Sequence, residues 1–224
     1  MQVKHLVSPF NRALMALVGL VTVAGLVLVP LGQDLPVHWG LSGAPDSFAP
    51  APVALLFPAV MMIAVIGLLF ALRRARLRKD FENGRFVIDA AISAVAMIAL
   101  VLSTATILIG LGIAVDMPRV VSLLVTGIFI VIGNVLPKTK PNWVAGVRLP
   151  WTLRDADNWR VTHRWTGRAM VVFGLIGFAI AAFGAPNTIV LMTAVLTAAF
   201  LPVIIGIGVS YAHAVRRDDG KDSA

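Results

Sequence analysis

The side chains that could do catalytic or metal chemistry are few and widely spaced. The chain has no Cys, and its other candidates are one Glu and four His: Glu82, His5, His38, His163 and His213. A zinc protease helix carries the pattern His-Glu-x-x-His, which does not occur here. Asp34 and His38 are four residues apart, but Pro36 between them argues against a helical metal pair. We therefore expect no metal, no cofactor and no catalytic residue.

One segment concentrates polar chemistry of another kind. It reads GNVLPKTKPNWVAGVRLPWTLRDADNWRVTHRWTGR from Gly133 to Arg168, and it holds seven of the nineteen Lys and Arg, most of the Trp and one His. Guanidinium groups bind carboxylates and phosphates in fixed geometry, and indole rings favour the boundary between lipid and water. These residue types suit recognition or anchoring better than catalysis.

The elements that must position this segment are long apolar runs. The chain is 58% hydrophobic and only 13% charged, whereas a soluble domain carries about 25% charged residues. About 20 helical residues cross a bilayer core of roughly 30 Å, and backbone groups in lipid must be paired internally. Six runs are long enough and have no Asp, Glu, Lys, Arg or His in their interior: 13–31, 53–72, 90–115, 120–136, 169–185 and 189–212. The predicted fold class is all-α, a polytopic membrane protein with six transmembrane helices.

The Lys and Arg residues alternate between the connections. Eighteen of the nineteen lie in the N-terminal flank, the second and fourth connections and the tail, and only Arg119 lies in the opposite set. Cytoplasmic loops of membrane proteins carry the excess of these residues. We predict a multi-pass protein of the plasma membrane with both termini cytoplasmic, a structured cytoplasmic loop at 133–168 and an external loop at 32–52. The net charge of +8 then faces lipid headgroups, and we expect no direct nucleic-acid partner.

The second half of the 133–168 segment is predicted to be a helix. Thr152 can cap its N-terminus, with Asp155 three residues later, close to a capping box. Residues at four-residue spacing share a face, and two such stripes follow: Trp159, His163 and Gly167, then Arg160, Arg164 and Arg168. The plain interpretation is an interfacial anchor that leads into the fifth span, in which His163 bonds a neighbouring carbonyl.

The first half of the segment is rich in Pro and is predicted to be an ordered, non-helical loop. Arg148 stands between Gly146 and Pro150, so its backbone has little freedom. Its guanidinium can hold carbonyls, a carboxylate or a phosphate. A folded cap over the helix ends and a docking surface for another molecule both fit this pattern.

The spaced pattern GNxxPKxKPNxxxGVRxPWTL, followed by WxxTHRxxGR, resembles the SdpI family of bacterial membrane proteins. That family is named for immunity against a secreted peptide toxin, and it is linked to signalling in which the membrane protein captures a small transcriptional repressor. The resemblance implies a binding or functional motif at these positions: Asn134, Pro137, Lys138, Lys140, Pro141, Asn142, Arg148, Pro150, Trp151, Thr152, Trp159, His163 and Arg164.

The external loop carries a second, shorter resemblance. LPVHWGLSGAPDSF is similar to the loop of a two-helix module of the DUF1648 type, which often precedes the same family, although the Lys that often follows is absent. The residues concerned are Asp34, Pro36, His38, Trp39, Gly43, Pro45 and Asp46. Taken singly, Trp39 fits an interface belt and His38 a loop cap. A loop that only joined two helices could be much shorter, so the loop as a whole is predicted to be functional.

The predicted organisation is a two-span module at 1–85, which carries the external loop, and a four-span region at 86–224, which carries the 133–168 loop. We hypothesise immunity to, or sensing of, a secreted antimicrobial peptide toxin by an integral membrane protein that binds it and relays a signal to a repressor. The expected partners are membrane lipids, a peptide toxin and a cytoplasmic transcriptional repressor. The alternative is a small-molecule or lipid-handling membrane protein or transporter, although no ionisable residue lies inside a span.

Overall fold

The computed structural model describes residues 7–74, 78–184 and 187–222. Lys4, His5, Arg76 and Pro186 lie outside these ranges. Within the described residues the chain forms eight α-helices and two strands in the order α1 Pro9–Leu28, β1 Asp34–Trp39, β2 Pro45–Pro50, α2 Ala51–Arg74, α3 Arg78–Asn83, α4 Arg85–Gly110, α5 Met117–Val135, α6 Pro150–Arg154, α7 Ala156–Phe183 and α8 Thr188–Asp222. A single turn of 3-10 helix, Leu136–Lys138, follows α5.

Six of these helices are long and apolar enough to cross a membrane, namely α1, α2, α4, α5, α7 and α8. The structure therefore contains the six membrane-length apolar helices that the sequence predicts. Capping side chains mark the first turn of two of them. Ser8 caps α1 by accepting the Asn11 N–H at 3.2 Å, and Asp116 caps α5 by accepting the Arg119 N–H at 3.1 Å. The fifth span begins earlier than its apolar run, because α7 continues without a break from Ala156.

The connection between α1 and α2 is a β-hairpin, so the all-α prediction is wrong at this loop. β1 and β2 pair in an antiparallel register that runs from Asp34 opposite Pro50 to Trp39 opposite Pro45. Gly43 at the turn has a φ of +83°, which residues with a side chain rarely adopt. Each strand contains proline, which is usually excluded from strand interiors, and this composition hid the strands in the sequence.

The first three spans pack into one group. α4 lies against α1 and α2, and a continuous apolar core forms between them, with Val18, Met62, Ile92 and Ala96 among its buried members. The short helix α3 closes this core at one end with Phe81, which is also buried. The close packing of these side chains stabilises the group, because many weak dispersion contacts add up to a large attraction.

The last three spans form a second group in which small residues let the helices approach closely. α7 packs against both α5 and α8. A side-chain carbon added at Gly167 would lie 2.5 Å from the Gly133 carbonyl, and one at Gly177 would lie 2.8 Å from Thr126. Helices in lipid associate largely through such close van der Waals packing. The division of the chain at residues 85 and 86 stays a prediction.

The bundle has two ends that differ in character. At the hairpin side, Gln33 Nε2 donates to the Gly110 carbonyl at the end of α4 at 2.8 Å. The opposite end, called the motif side, carries residues 133–168, which we call the motif segment. α5 runs from Met117 near the hairpin to Val135 in the motif segment, and its 19 residues span roughly 28 Å at 1.5 Å per residue. The two predicted functional regions are therefore not brought together.

Candidate functional site

The motif segment folds around two stacked rings. The His163 imidazole lies 3.9 Å from the Trp159 indole, with an angle of 19° between the planes. Both side chains are buried, and the Trp159 Nε1–H donates to the Thr139 carbonyl at 3.1 Å. Their four-residue spacing on α7 makes this contact possible. The stripe predicted from the sequence thus forms the interior of the segment.

His163 uses both ring nitrogens. Nδ1 lies 2.8 Å from the Trp159 carbonyl, which can only accept, and Nε2 receives the Val147 N–H at 3.0 Å. These partners fix the neutral ring with its proton on Nδ1. A second proton, on Nε2, would face the Val147 N–H. The prediction that His163 satisfies a nearby carbonyl agrees with this geometry, and its second bond ties α7 to the loop.

Gly146 is the glycine that this arrangement requires. Its φ is +113°, and a side-chain carbon there would collide with His163 Nε2. The backbone of the loop therefore passes directly over the ring edge. Because only glycine accepts both the dihedral angle and the close approach, Gly146 sets the path by which the Val147 amide reaches the imidazole.

Asn142 organises the Pro-rich loop of the segment (residues 139–149, between the 3-10 turn and α6). Its side chain is buried, and Oδ1 accepts the amides of Val144 at 2.9 Å and Ala145 at 2.8 Å. Its Nδ2 donates to the Lys140 carbonyl at 2.8 Å. Asn side chains that bond the backbone a few residues away replace a backbone turn. The loop is ordered for this reason, as its composition predicts.

The helical half starts differently from the prediction. Thr152 does not cap the long helix: its Oγ1 accepts the Leu149 N–H at 2.8 Å inside the short helix α6. The helix is interrupted at Asp155, whose carboxylate accepts the Asp157 N–H at 2.9 Å and caps α7. Asp is a strong N-cap residue, whereas the sequence pattern predicts that Asp155 is the third residue of a helix that starts one turn earlier.

A buried polar cluster joins the segment to α8. Ser210 Oγ donates to Asn158 Oδ1 at 2.7 Å and accepts the Trp151 Nε1–H at 2.8 Å. Asn158 Nδ2 donates to the Ser210 carbonyl at 2.9 Å, and Thr162 donates to Asn158 Oδ1 at 3.0 Å. Sequence reasoning missed Asn158 and Ser210. The available signal was an Asn one turn before Thr162 on the inward face of the helix.

A second connection runs to α3, which belongs to the first helix group. The Asn83 carbonyl accepts the Lys140 N–H at 3.1 Å, and Asn83 Nδ2 donates to the Pro141 carbonyl at 2.9 Å. Asp80 Oδ1 accepts the Trp143 N–H at 3.0 Å. The motif segment therefore bridges the two helix groups at this end of the bundle. Asp80 and Asn83 were also missed.

The cations of the segment face outward. Arg148 is exposed, and its Nη1 donates to the Trp143 carbonyl at 2.6 Å, so one of the predicted uses of this guanidinium, the holding of carbonyls, is present. Arg160 pairs with Asp157 at 2.8 Å. Other predicted site residues are also exposed, namely Asn134, Lys138, Lys140, Pro150 and Arg164, whereas Pro137 is half-buried against Gly167.

The outward face includes a cleft of about 470 Å³. Its polar lining comes from α3, the Pro-rich loop and α6 through Asp80, Asn142, Arg148 and Arg154. Trp143 stands at its rim, 65% exposed. The cleft has two guanidinium groups against one carboxylate, so its fixed side-chain charge is positive.

The hairpin presents the other predicted residues. His38 Nδ1 and Asp46 Oδ1 lie 2.5 Å apart across the strands, and both side chains are well exposed. Asp34 and Pro45 are exposed, and Trp39 and Pro36 are half-buried. A groove of about 460 Å³ separates the hairpin from the helices and is lined mainly by apolar residues, including Val37, Trp39, Met117, Pro118, Leu191 and Met192.

Gly43 brings the hairpin turn close to α8. A side-chain carbon at this position would lie 2.6 Å from Thr188 Oγ1, where α8 begins.

The residues that the structure describes contain no group of three or more His, Cys, Asp or Glu side chains that could hold a metal ion.

Six membrane-length helices, with a hairpin at one end and a bonded motif segment at the other, define a multi-pass membrane protein. Residues 138–210 match the SdpI/YfhL protein family, and residues 15–62 match a domain of unknown function, DUF1648. The chain therefore contains a region of the SdpI/YfhL family, which is preceded by a DUF1648 domain. The two matches cover the hairpin and most of the motif segment.

One relative matches over most of its length. The protein described as "Immunity protein SdpI" from Bacillus subtilis (strain 168) is 28% identical over 183 residues, which is 81% of this chain and 84% of that protein. No solved structure matches the chain.

Proposed function

We propose that the chain is a plasma-membrane protein that confers immunity to, or senses, a secreted antimicrobial peptide toxin. The observation that carries this proposal is the similarity to the immunity protein of Bacillus subtilis across 81% of the chain. The six membrane-length helices are consistent with it.

The orientation that we propose follows from the Lys and Arg count. With eighteen of the nineteen residues on one set of connections, the motif segment and both termini are cytoplasmic and the hairpin is outside. The hairpin is then the first part of the chain that a secreted peptide meets.

Toxin recognition is assigned in this proposal to the hairpin and its groove. Residues 32–52 contain Asp34 and Asp46 and no Lys or Arg, so the surface attracts cations. The apolar groove beside it, with Trp39 and Met117 in its lining, suits the apolar face of an amphipathic peptide. A cationic, amphipathic toxin meets both requirements at once.

The motif segment has a separate role in this proposal. Its buried half, centred on Trp159 and His163, ties α7 to the Pro-rich loop. Its exposed half offers Lys138, Lys140 and Arg164 to a partner. The partner proposed is a cytoplasmic transcriptional repressor. A pull-down of a small DNA-binding protein from the host would support this role if it is lost in Lys138→Ala with Lys140→Ala, variants that leave the buried half intact.

The immunity proposal is tested by expressing the chain in a sensitive cell and exposing it to a panel of secreted peptide toxins. Protection against at least one peptide, with membrane insertion verified, is the expected result. Unchanged killing across the panel would reject the proposal.

A lipid-handling role is the second candidate, and one observation favours it. A groove of about 440 Å³ opens between α4 and α5, and its lining is almost wholly apolar, with Phe10, Met97, Leu124 and Val131 among its residues. Such a groove fits an acyl chain. Copurified lipid that is displaced by Gly127→Phe, with no toxin protection in the parent chain, would favour this candidate over immunity.

A further inference from the structure

The cleft on the motif side is built from three separate elements, and this construction makes it a defined site. Asp80 comes from α3, Trp143 and Arg148 from the Pro-rich loop, and Arg154 from the last turn of α6. Asn142 fixes the loop from beneath through three hydrogen bonds. The loop wall is therefore held by a bonded framework, and the Arg148 guanidinium is held against it by the Trp143 carbonyl.

The charges in the cleft select an anion. Arg148 spends one nitrogen on the Trp143 carbonyl at 2.6 Å, and a guanidinium has five N–H donors, so further donors remain for a ligand. The carboxylate of Asp80 is engaged by the Trp143 N–H at 3.0 Å. Two Arg side chains around one volume of about 470 Å³ match the tetrahedral oxygens of a phosphate.

The location of the cleft indicates where the phosphate comes from. Both α3 and the motif segment connect membrane spans at the same end of the bundle, so the cleft lies at the edge of the bilayer. Trp143 is 65% exposed at its rim, and exposed Trp residues favour the headgroup layer. A lipid phosphate reaches this depth with its acyl chains still in the bilayer.

We propose that the cleft between α3, the Pro-rich loop and α6 binds the phosphate of an anionic lipid headgroup through Arg148 and Arg154. The site is distinct from the hairpin groove and does not depend on toxin recognition. A bound headgroup would join the Pro-rich loop to α6, because Arg148 belongs to the loop and Arg154 to α6.

The test compares two Arg→Gln variants of the full chain in detergent. Arg154→Gln removes one charge from the cleft, and Arg164→Gln removes one exposed charge from α7 outside the cleft lining. Native mass spectrometry with added phosphatidylglycerol measures retained lipid. We expect roughly fivefold weaker retention in Arg154→Gln and parental retention in Arg164→Gln. Equal retention in both variants, or equal loss, would overturn the proposal.

A second experiment distinguishes a lipid headgroup from free phosphate as the ligand. Thermal unfolding of the parent chain, Arg154→Gln and Arg164→Gln is measured with inorganic phosphate and, separately, with phosphatidylglycerol. Stabilisation by the lipid alone, lost in Arg154→Gln, assigns the site to the headgroup. Stabilisation by both, lost in the same variant, retains the phosphate chemistry and removes the lipid requirement. Stabilisation by neither overturns the site. Arg148→Gln is a supporting variant only, because it also removes the bond to the Trp143 carbonyl.

Discussion

The rings of Trp159 and His163 stack at 3.9 Å inside the motif segment, one helical turn apart on α7. Through these rings α7 reaches two parts of the Pro-rich loop, since the indole bonds Thr139 and the imidazole accepts the Val147 N–H. The loop that composition marks as irregular is thus pinned to a membrane helix at both of its ends. Stability of the motif segment should depend on this pair more than on its exposed cations.

We expect His163→Ala to destabilise the protein by about 3 kcal/mol, because it removes the acceptor of the part-buried Val147 N–H and opens a cavity beside Trp159. Thermal unfolding in detergent measures the change. Arg164→Ala, the exposed neighbour, is the control and should shift the midpoint little. Similar shifts in the two variants would contradict the role given to the stacked pair.

Gly146→Ala should be more damaging than an ordinary glycine substitution. Its φ of +113° and its contact with His163 add a collision to the usual cost of about 1 kcal/mol for a side chain in the left-handed region. Gly112→Ala is a matched control, since Gly112 has a φ of +81° and nothing within 4 Å of the added carbon. Unfolding midpoints that fall equally in both variants would show that the His163 contact is unimportant.

Ser210→Ala should cost about 1 to 2 kcal/mol, because both Trp151 Nε1 and Asn158 Oδ1 lose a buried partner. Ser103→Ala removes a hydroxyl that is equally buried but has no hydrogen-bond partner among the described residues, and we expect it to be neutral or slightly stabilising. The comparison is made by denaturant unfolding of the two variants. A larger loss in Ser103→Ala would contradict the assignment of the polar cluster.

The hairpin prediction concerns function instead of stability. Replacing both Asp34 and Asp46 by Asn removes the negative charge of the loop. We expect protection against a cationic toxin to fall by roughly tenfold, because each exposed charge pair contributes about 0.2 to 1 kcal/mol. Asp157→Asn, on the motif side, is the charge control. Survival assays at matched membrane levels measure the effect. Full protection by the double variant would remove the hairpin from the recognition surface.

The sequence predicts the six spans well because the bilayer imposes a single length and a single polarity on each of them. It also predicts the inward stripe of Trp159 and His163, which depends only on the helical repeat. The same local signals fail at Asp155. Thr152 and Asp155 are both good cap residues, but Thr152 bonds Leu149 at the start of α6, and Asp155 caps α7.

Local sequence patterns do not predict hydrogen bonds between residues that are far apart in the chain. Asn158 and Ser210 are 52 residues apart in the chain, and Asn83 and Pro141 are 58 apart. No periodicity connects such positions. The hairpin was missed for a different reason, because its strands are short, contain proline and have an irregular register, so the alternation that identifies a strand is absent.

The most direct test determines on which side of the membrane the hairpin and the motif segment lie. The chain has no Cys, so Ser42→Cys in the hairpin and Lys140→Cys in the motif segment each supply the only thiol. A membrane-impermeant maleimide is applied to intact cells. We predict that it labels the thiol at position 42, and that the thiol at position 140 reacts only after permeabilisation. Labelling of position 140 in intact cells, with position 42 protected, would contradict the account.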